Sequence, residues 1–207
     1  MVLGRLDAIR RFPVKSLRGE TLEEIAVDSN GLRGDRQRAL VVRDEPIRAG
    51  KTYRGKEHER LHLIADPDAA TAAAAERGVD VLLQRDGPFF DDAPVSIMVD
   101  RWLDALSAHV GYRVEWQRFR PNFFITAAPE FDFDEQRLTG GELRLGEVRM
   151  RVRAPIGRCV VITYDPQGGT SDPEILRYVA QQRGNSMGIY CDVIEAGTVR
   201  VGDVLTF

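Results

Sequence analysis

The run from Val148 to Arg153 constrains this chain more than any other stretch. Val148, Met150 and Val152 alternate with Arg149, Arg151 and Arg153. Successive side chains of a strand point to opposite faces, so this period of two gives one apolar face and one charged face. Other short runs carry strand signals: residues 22–28, 39–42, 61–64, 79–84 and 94–99. Residues 160–164 continue in the same style. The closing GTVRVGDVLTF reads as two short strands around a Gly202-Asp203 turn.

Helices are few, and local signals mark them. Asp66-Pro67 is a cap followed by a first-turn proline, ahead of an alanine-rich stretch that ends at Gly78. Asp100 can cap a helix with Trp102, Leu103, Leu106 and Val110 on one face, stopped by Gly111. Asp172-Pro173 repeats the signal before Ile175, Leu176 and Val179. These apolar stripes read as core packing. A mainly β chain with a few helices is the expectation: a β-barrel, or a barrel packed with a smaller β-rich partner. Its 207 residues suit one large domain or two small, intimately packed ones. The turn-rich GPFFDDAP places a soft boundary between Asp86 and Pro94, giving units of 1–88 and 89–207.

Several functional classes are disfavoured. Hydrophobic residues at 43% with charged residues at 29% describe a globular chain, not a disordered one. A net charge of −3 argues against general nucleic-acid binding. Two cysteines, Cys159 and Cys191, are too few for an iron–sulfur cluster, which takes about four thiolates. Free thiols in a reducing compartment fit them better than a disulfide framework does. His58, His62 and His109 show no tight metal-ligand spacing. The N-terminus lacks the apolar core of a signal peptide, and no run nears the roughly 20 apolar residues of a membrane span. The expectation is a cytoplasmic protein with no membrane contact.

Four segments stand out chemically. In Arg11-Phe12-Pro13-Val14-Lys15-Ser16-Leu17-Arg18-Gly19, a lysine, a hydroxyl and a glycine share a turn, which can bind an anion or be a solvated basic loop. In Gly31-Leu32-Arg33-Gly34-Asp35-Arg36, the Arg36 guanidinium offers a fork to a phosphate, or an ion pair to Asp35. Arg120 and Asn122 flank Pro121, which pushes Arg120 out of the helical region. In an extended chain the two share a face, where they could meet an anion and a heterocycle edge, or form only a basic strand edge. Pro155-Ile156-Gly157-Arg158-Cys159 puts a thiol beside a cation at the start of an apolar run. Cys159 there is either a buried hydrophobe or an acidified thiol serving as nucleophile or soft-metal ligand.

Together these segments resemble the MOSC family, including its N-terminal β-barrel module, from about Arg5 to Phe207 and in the same order. The mitochondrial amidoxime-reducing component and its bacterial counterparts are similar in pattern. The segments that carry the resemblance are Pro13-Val14-Lys15-Ser16, Gly31-Leu32-Arg33 with Asp35-Arg36, Arg120-Pro121-Asn122, Arg158-Cys159 with Asp165-Pro166, and the closing Gly197-Thr198-Val199-Arg200-Val201-Gly202-Asp203. The resemblance implies a MOSC-type barrel packed with a smaller β-rich N-terminal module. It implies that Cys159 ligates the molybdenum of a molybdopterin cofactor. Gly157, Arg158, Arg120 and Asn122 would contact that cofactor, with Lys15, Ser16 and Arg36 from the N-terminal module. Pyridoxal phosphate binding is a further association that it carries.

Such a protein would reduce N-hydroxylated small molecules, amidoximes or hydroxylamines, with electrons from separate redox proteins. Two other uses of the site are a persulfide-carrying Cys159 for sulfur delivery and non-catalytic binding of an anion. The sequence departs from the family pattern in several places. Asp165-Pro166-Gln167-Gly168-Gly169 lacks a threonine, Ala93 replaces a frequent serine before Pro94, and residues 49–60 replace a shorter stretch. Cys191 matches no ligand position and is expected in the core.

Overall fold

The computed structural model describes residues 1–43 and 48–207. In chain order the first strands are β1 (Val2–Arg11), β2 (Glu20–Leu22), β3 (Glu24–Asp28), β4 (Gly31–Leu32) and β5 (Ala39–Val42). Helix α1 (Pro67–Ala75), β6 (Val81–Gln84), β7 (Val95–Val99), α2 (Arg101–Val110) and β8 (Phe123–Ala127) follow. The chain ends with α3 (Glu135–Leu138), β9 (Glu142–Leu145), β10 (Val148–Gly157), α4 (Pro173–Gln182), β11 (Ser186–Glu195), β12 (Gly197–Arg200) and β13 (Val204–Thr206).

The alternation at 148–153 forms the first part of β10, which pairs antiparallel with both β9 and β11. Val148, Met150 and Val152 are buried, while Arg149 and Arg151 bridge Glu142, and Arg153 pairs with Asp192, on the outer face. The large sheet runs β13-β9-β10-β11-β7-β8-β1-β2 and closes through β13–β1, so seven strands form a barrel with β2 appended. Closure leaves no free edge among those seven. The N-terminal strand β1 completes it, pairing with β13, β2 and β8. Gly4 is needed there: a Cβ would stand 2.3 Å from the Thr126 carbonyl oxygen.

A second, smaller core lies outside the barrel. Val14, Leu17, Leu40, Tyr53, Leu61, Ala70 and Val81 pack between the β5–β6 pair and α1. A third sheet of β12, β3 and β4 joins N- and C-terminal stretches. All three expected helices form. Asp66 and Asp172 accept hydrogen bonds from the amides of Asp68 and Glu174, each with proline in the first turn. Asp100 accepts from Arg101, and α2 ends at left-handed Gly111.

Three local expectations are corrected. Residues 61–64 and 160–164 are 3-10 turns, Leu61–Leu63 and Val160–Thr163, rather than strands. The second is curled by its surroundings, since the Thr163 carbonyl accepts from Arg118 Nη1 (2.9 Å) and from the Asp172 amide (2.9 Å). The two short closing strands form as expected, β12 and β13 around a turn; β12 joins β3, and β13 joins β1 and β9. Arg120 is not extended; it ends the 3-10 turn Trp116–Phe119 in a left-handed conformation.

Candidate functional site

A cavity of about 350 Å³ opens between the barrel and the smaller unit. Lys15, Ser16, Arg36, Arg120, Asn122, Gly157, Arg158 and Cys159 all line it. Residues up to 144 positions apart in the chain therefore share one wall. Arg54 and Lys56 from the divergent 49–60 segment, His62, Arg118 and Tyr190 complete it. Among the described residues, seven lysine or arginine side chains face two carboxylates, Asp91 and Asp92, a surplus that suits a negatively charged occupant.

Six of these cations are held by the fold. Lys15 Nζ lies 2.6 Å from Asp91 Oδ1. Burial acts to raise the Asp91 carboxyl, but Lys15, Arg36 and Arg54 outweigh it and hold it below the usual carboxylate range. Arg36 pairs with buried Asp35, whose other oxygen accepts from the Phe12 amide at 2.6 Å. The ion-pair reading of that segment holds, and Arg36 also lines the cavity. Arg120 donates to the Leu17 carbonyl at 2.7 Å. The guanidinium carbons of Arg120, Arg36 and Arg10 lie 4.2, 4.8 and 5.4 Å from the centre of the buried Phe12 ring. An aromatic face tolerates three cations where an aliphatic side chain would not.

This crowding has an electrostatic cost. Burial, then the charges of Arg36 and Arg10, push the Arg120 guanidinium down to about 9. Burial pushes Arg158 down to about 10. Arg158 donates to the Met187 carbonyl (2.7 Å) and the Phe119 carbonyl (2.9 Å), and its Nη2 is buried with no hydrogen-bond partner. Gly188 (φ +84) admits that group, because a Cβ there would stand 2.9 Å from Nη2. Arg54 Nε is likewise buried and unpartnered. Unmet donors of this kind are costly in a closed interior and are relieved by an anion.

Asn122 plays a more internal part than a ligand contact. Its Oδ1 accepts from Ser96 N (3.1 Å), Ser96 Oγ (2.9 Å) and Arg36 Nη1 (3.3 Å), and its Nδ2 donates to the Arg10 carbonyl (3.2 Å). The side chain ties β7, β8 and β1 together and steadies Arg36.

Cys159 is exposed at the rim, in extended conformation just before the 3-10 turn Val160–Thr163. Cys191 is fully buried between β10 and β7, and burial pushes its thiol up. It is the inert core cysteine that the sequence suggested. The backbone is strained where it meets the cavity: Ser16, Arg36 and Arg120 take positive φ of 70°, 47° and 53°. The fourth such residue among those described, Asn185 (φ 60°), accepts from the Arg158 amide at 2.9 Å. Non-glycine residues hold such conformations only where surrounding structure enforces them.

Arg54, Lys56, His62 and Tyr190 were not identified as site residues from the sequence. No local pattern marks them, because only tertiary folding brings them to the cavity. No group of three or more His, Cys, Asp or Glu side chains able to hold a metal occurs among the described residues. A metal at Cys159 would therefore have to arrive within a cofactor supplying further ligands. The donor set fits such a group: one exposed thiol, a surplus of guanidiniums and ammoniums for a phosphate, and unpartnered N–H groups.

The fold and its sequence define a MOSC protein. The MOSC domain family matches residues 84–206, and the MOSC N-terminal beta barrel domain family matches residues 3–82; the chain belongs to this family. Among curated relatives, mitochondrial amidoxime reducing component 2 of Macaca fascicularis is 30% identical over 126 residues, covering 55% of this chain and 36% of the relative. The Homo sapiens protein of the same name is 29% identical over the same coverage. The match thus spans little more than a third of these relatives' length. In shape, the chain is similar to the YUAD protein of Bacillus subtilis, with a TM-score of 0.58, 15% identity, and coverage of 99% of this chain and 94% of that one. No helix among the described residues is long and apolar enough to cross a membrane.

Proposed function

We propose that this chain binds a molybdenum–pterin cofactor in the cation-lined cavity and reduces N-hydroxylated small molecules. The observation that carries this reading is the meeting of an exposed Cys159 thiol with a surplus of cations and an unpartnered Arg158 Nη2 in one cavity. Cys159 would ligate the metal. Lys15, Ser16, Arg36, Arg120 and Arg158 would hold the anionic part, and the backbone at Gly157 would approach it without a Cβ in the way. Asn122 would fix Arg36. The bound group would supply a two-electron redox couple. The chain's own side chains bind, orient and neutralise.

Reducing an amidoxime to an amidine breaks one N–O bond, takes up two electrons and two protons, and releases water. In this reading the electrons come from separate redox proteins. The amidoxime-reducing relatives support the substrate class. We place the chain in the cytoplasm, where both thiols stay reduced. The test is reduction of benzamidoxime by the cofactor-loaded protein with a chemical electron donor. Amidine formed by wild type and not by Cys159→Ser supports the reading; equal rates in both overturn it.

The exposure of Cys159 also favours a second reading, in which its thiol carries a persulfide for sulfur transfer. Intact mass showing a labile added sulfur, in protein without molybdenum, would select it. Pyridoxal phosphate would need a free lysine. Lys15 is committed to Asp91, leaving Lys56 as the amine, and a borohydride-trapped adduct there would support that use.

A further inference from the structure

A second and larger cavity, about 710 Å³, lies on the far side of the same wall. His62, Arg118, Arg120 and Val161 line both cavities. We propose that this second cavity is a separate binding site for an organic phosphate of nucleotide size.

Uncompensated cations point to an anion. Arg10, Arg18 and Arg38 line this cavity and not the first. Arg18 and Arg38 make no side-chain hydrogen bond or ion pair with any described residue. Arg10 donates one bond, to the Gly19 carbonyl at 3.1 Å, and its Nε is buried without a partner. Among the described residues, both carboxylates in the lining are already paired: Glu20 with Arg11 outside the cavity at 2.7 Å, and Glu115 with Arg118 at 2.8 Å. Three guanidiniums with open N–H groups suit the oxygens of a phosphate better than a single carboxylate.

Size and surface argue for more than inorganic phosphate. The volume is twice that of the first cavity and falls within the range of small-molecule sites. Leu17, Pro13 and Pro166 supply apolar wall, and Tyr164, stacked on His62 with ring centres 6.0 Å apart, supplies an aromatic edge for a flat ring. An ester with a charged end and a planar end uses both features.

The test is isothermal titration of the whole purified chain with ADP, adenosine and orthophosphate at fixed moderate salt. One variant combines Arg18→Gln and Arg38→Gln, which touch only the second cavity. The other is Arg158→Gln, which touches only the first. Wild type should bind ADP more tightly than orthophosphate and should not bind adenosine. The double variant should weaken ADP by about tenfold or more, with an unchanged thermal melt. Arg158→Gln should stay within about twofold of wild type, since it contributes no charge there. Absence of ADP binding to wild type overturns the proposal, as does adenosine binding as tightly as ADP. ADP binding lost in Arg158→Gln and kept in the double variant overturns it too, because that ligand sits in the first cavity. Neither arm depends on molybdenum, so this proposal and the redox reading fail independently.

Discussion

The guanidinium of Arg120 stacks 4.2 Å from the centre of the Phe12 ring, at the wall between two cavities. Around the same ring stand Arg36, which faces one cavity, and Arg10, which faces the other. Phe12 is 1% exposed and is the hub that lets three cations converge. Its segment leaves β1 and turns toward the smaller unit, so the hub is made where the two cores meet.

Replacing Phe12 should therefore cost more than its volume. Phe12→Leu keeps an apolar side chain but removes three cation–ring contacts, leaving Arg10, Arg36 and Arg120 to repel one another. We expect a loss of about 1–3 kcal/mol in urea unfolding. The variant should also become more sensitive to low salt than wild type, since screening relieves the repulsion. A midpoint unchanged at all salt concentrations would remove Phe12 from this role.

Asn122 should behave as a structural residue. Asn122→Ala leaves the Ser96 amide, the Ser96 hydroxyl and the Arg10 carbonyl without their present partner in a buried place. A destabilisation of about 1–3 kcal/mol follows from stranding even one such group. Chemical denaturation measures it. If Asn122→Ala unfolds like wild type and only ligand affinity falls, the side chain is a direct contact and its bonds to Ser96 matter little.

Buried His58 and half-buried His62 set an acid limit on stability. Burial, aided by the charge of Arg120 and opposed by the Asp165 carbonyl, holds His62 below its ordinary value of about 6.5. Burial, with Arg77, does the same to His58. Below about pH 6.5 the unfolded chain takes up these protons before the folded chain does, so stability is full above that pH and falls on acidification toward the folded values. Thermal melts between pH 7.5 and 5 should show this loss, and His62→Gln should flatten part of the slope. A melting temperature that rises on acidification over that range would contradict the sign.

How much was readable in the chain depended on how local each cause is. The caps at Asp66, Asp100 and Asp172 act within a turn, and all three helices were legible from them. The Val148–Arg153 alternation was legible because one sheet face is core and the other is solvent. The Val160-Val161-Ile162 run misled, because β-branched apolar residues carry a strand signal whatever tertiary contacts do. Here Arg118 and α4 bend it into a 3-10 turn. Arg120 kept its place in the site but not its conformation: Pro121 excludes the helical region, and the left-handed well was the alternative taken. That eight scattered residues would line one cavity was legible through resemblance to a family pattern, not through spacing. Arg54, Lys56, His62 and Tyr190 answer to no pattern and needed the fold.

The central claim is that a single thiolate anchors an anionic metal cofactor in a cavity prepared with positive charge. Elemental analysis of the chain purified from cells that make the pterin cofactor tests it most directly. The account predicts close to one molybdenum per wild-type chain and none in Cys159→Ser of equal thermal stability. Wild-type protein that is fully folded yet carries no molybdenum, or a serine variant that retains it all, would contradict the account.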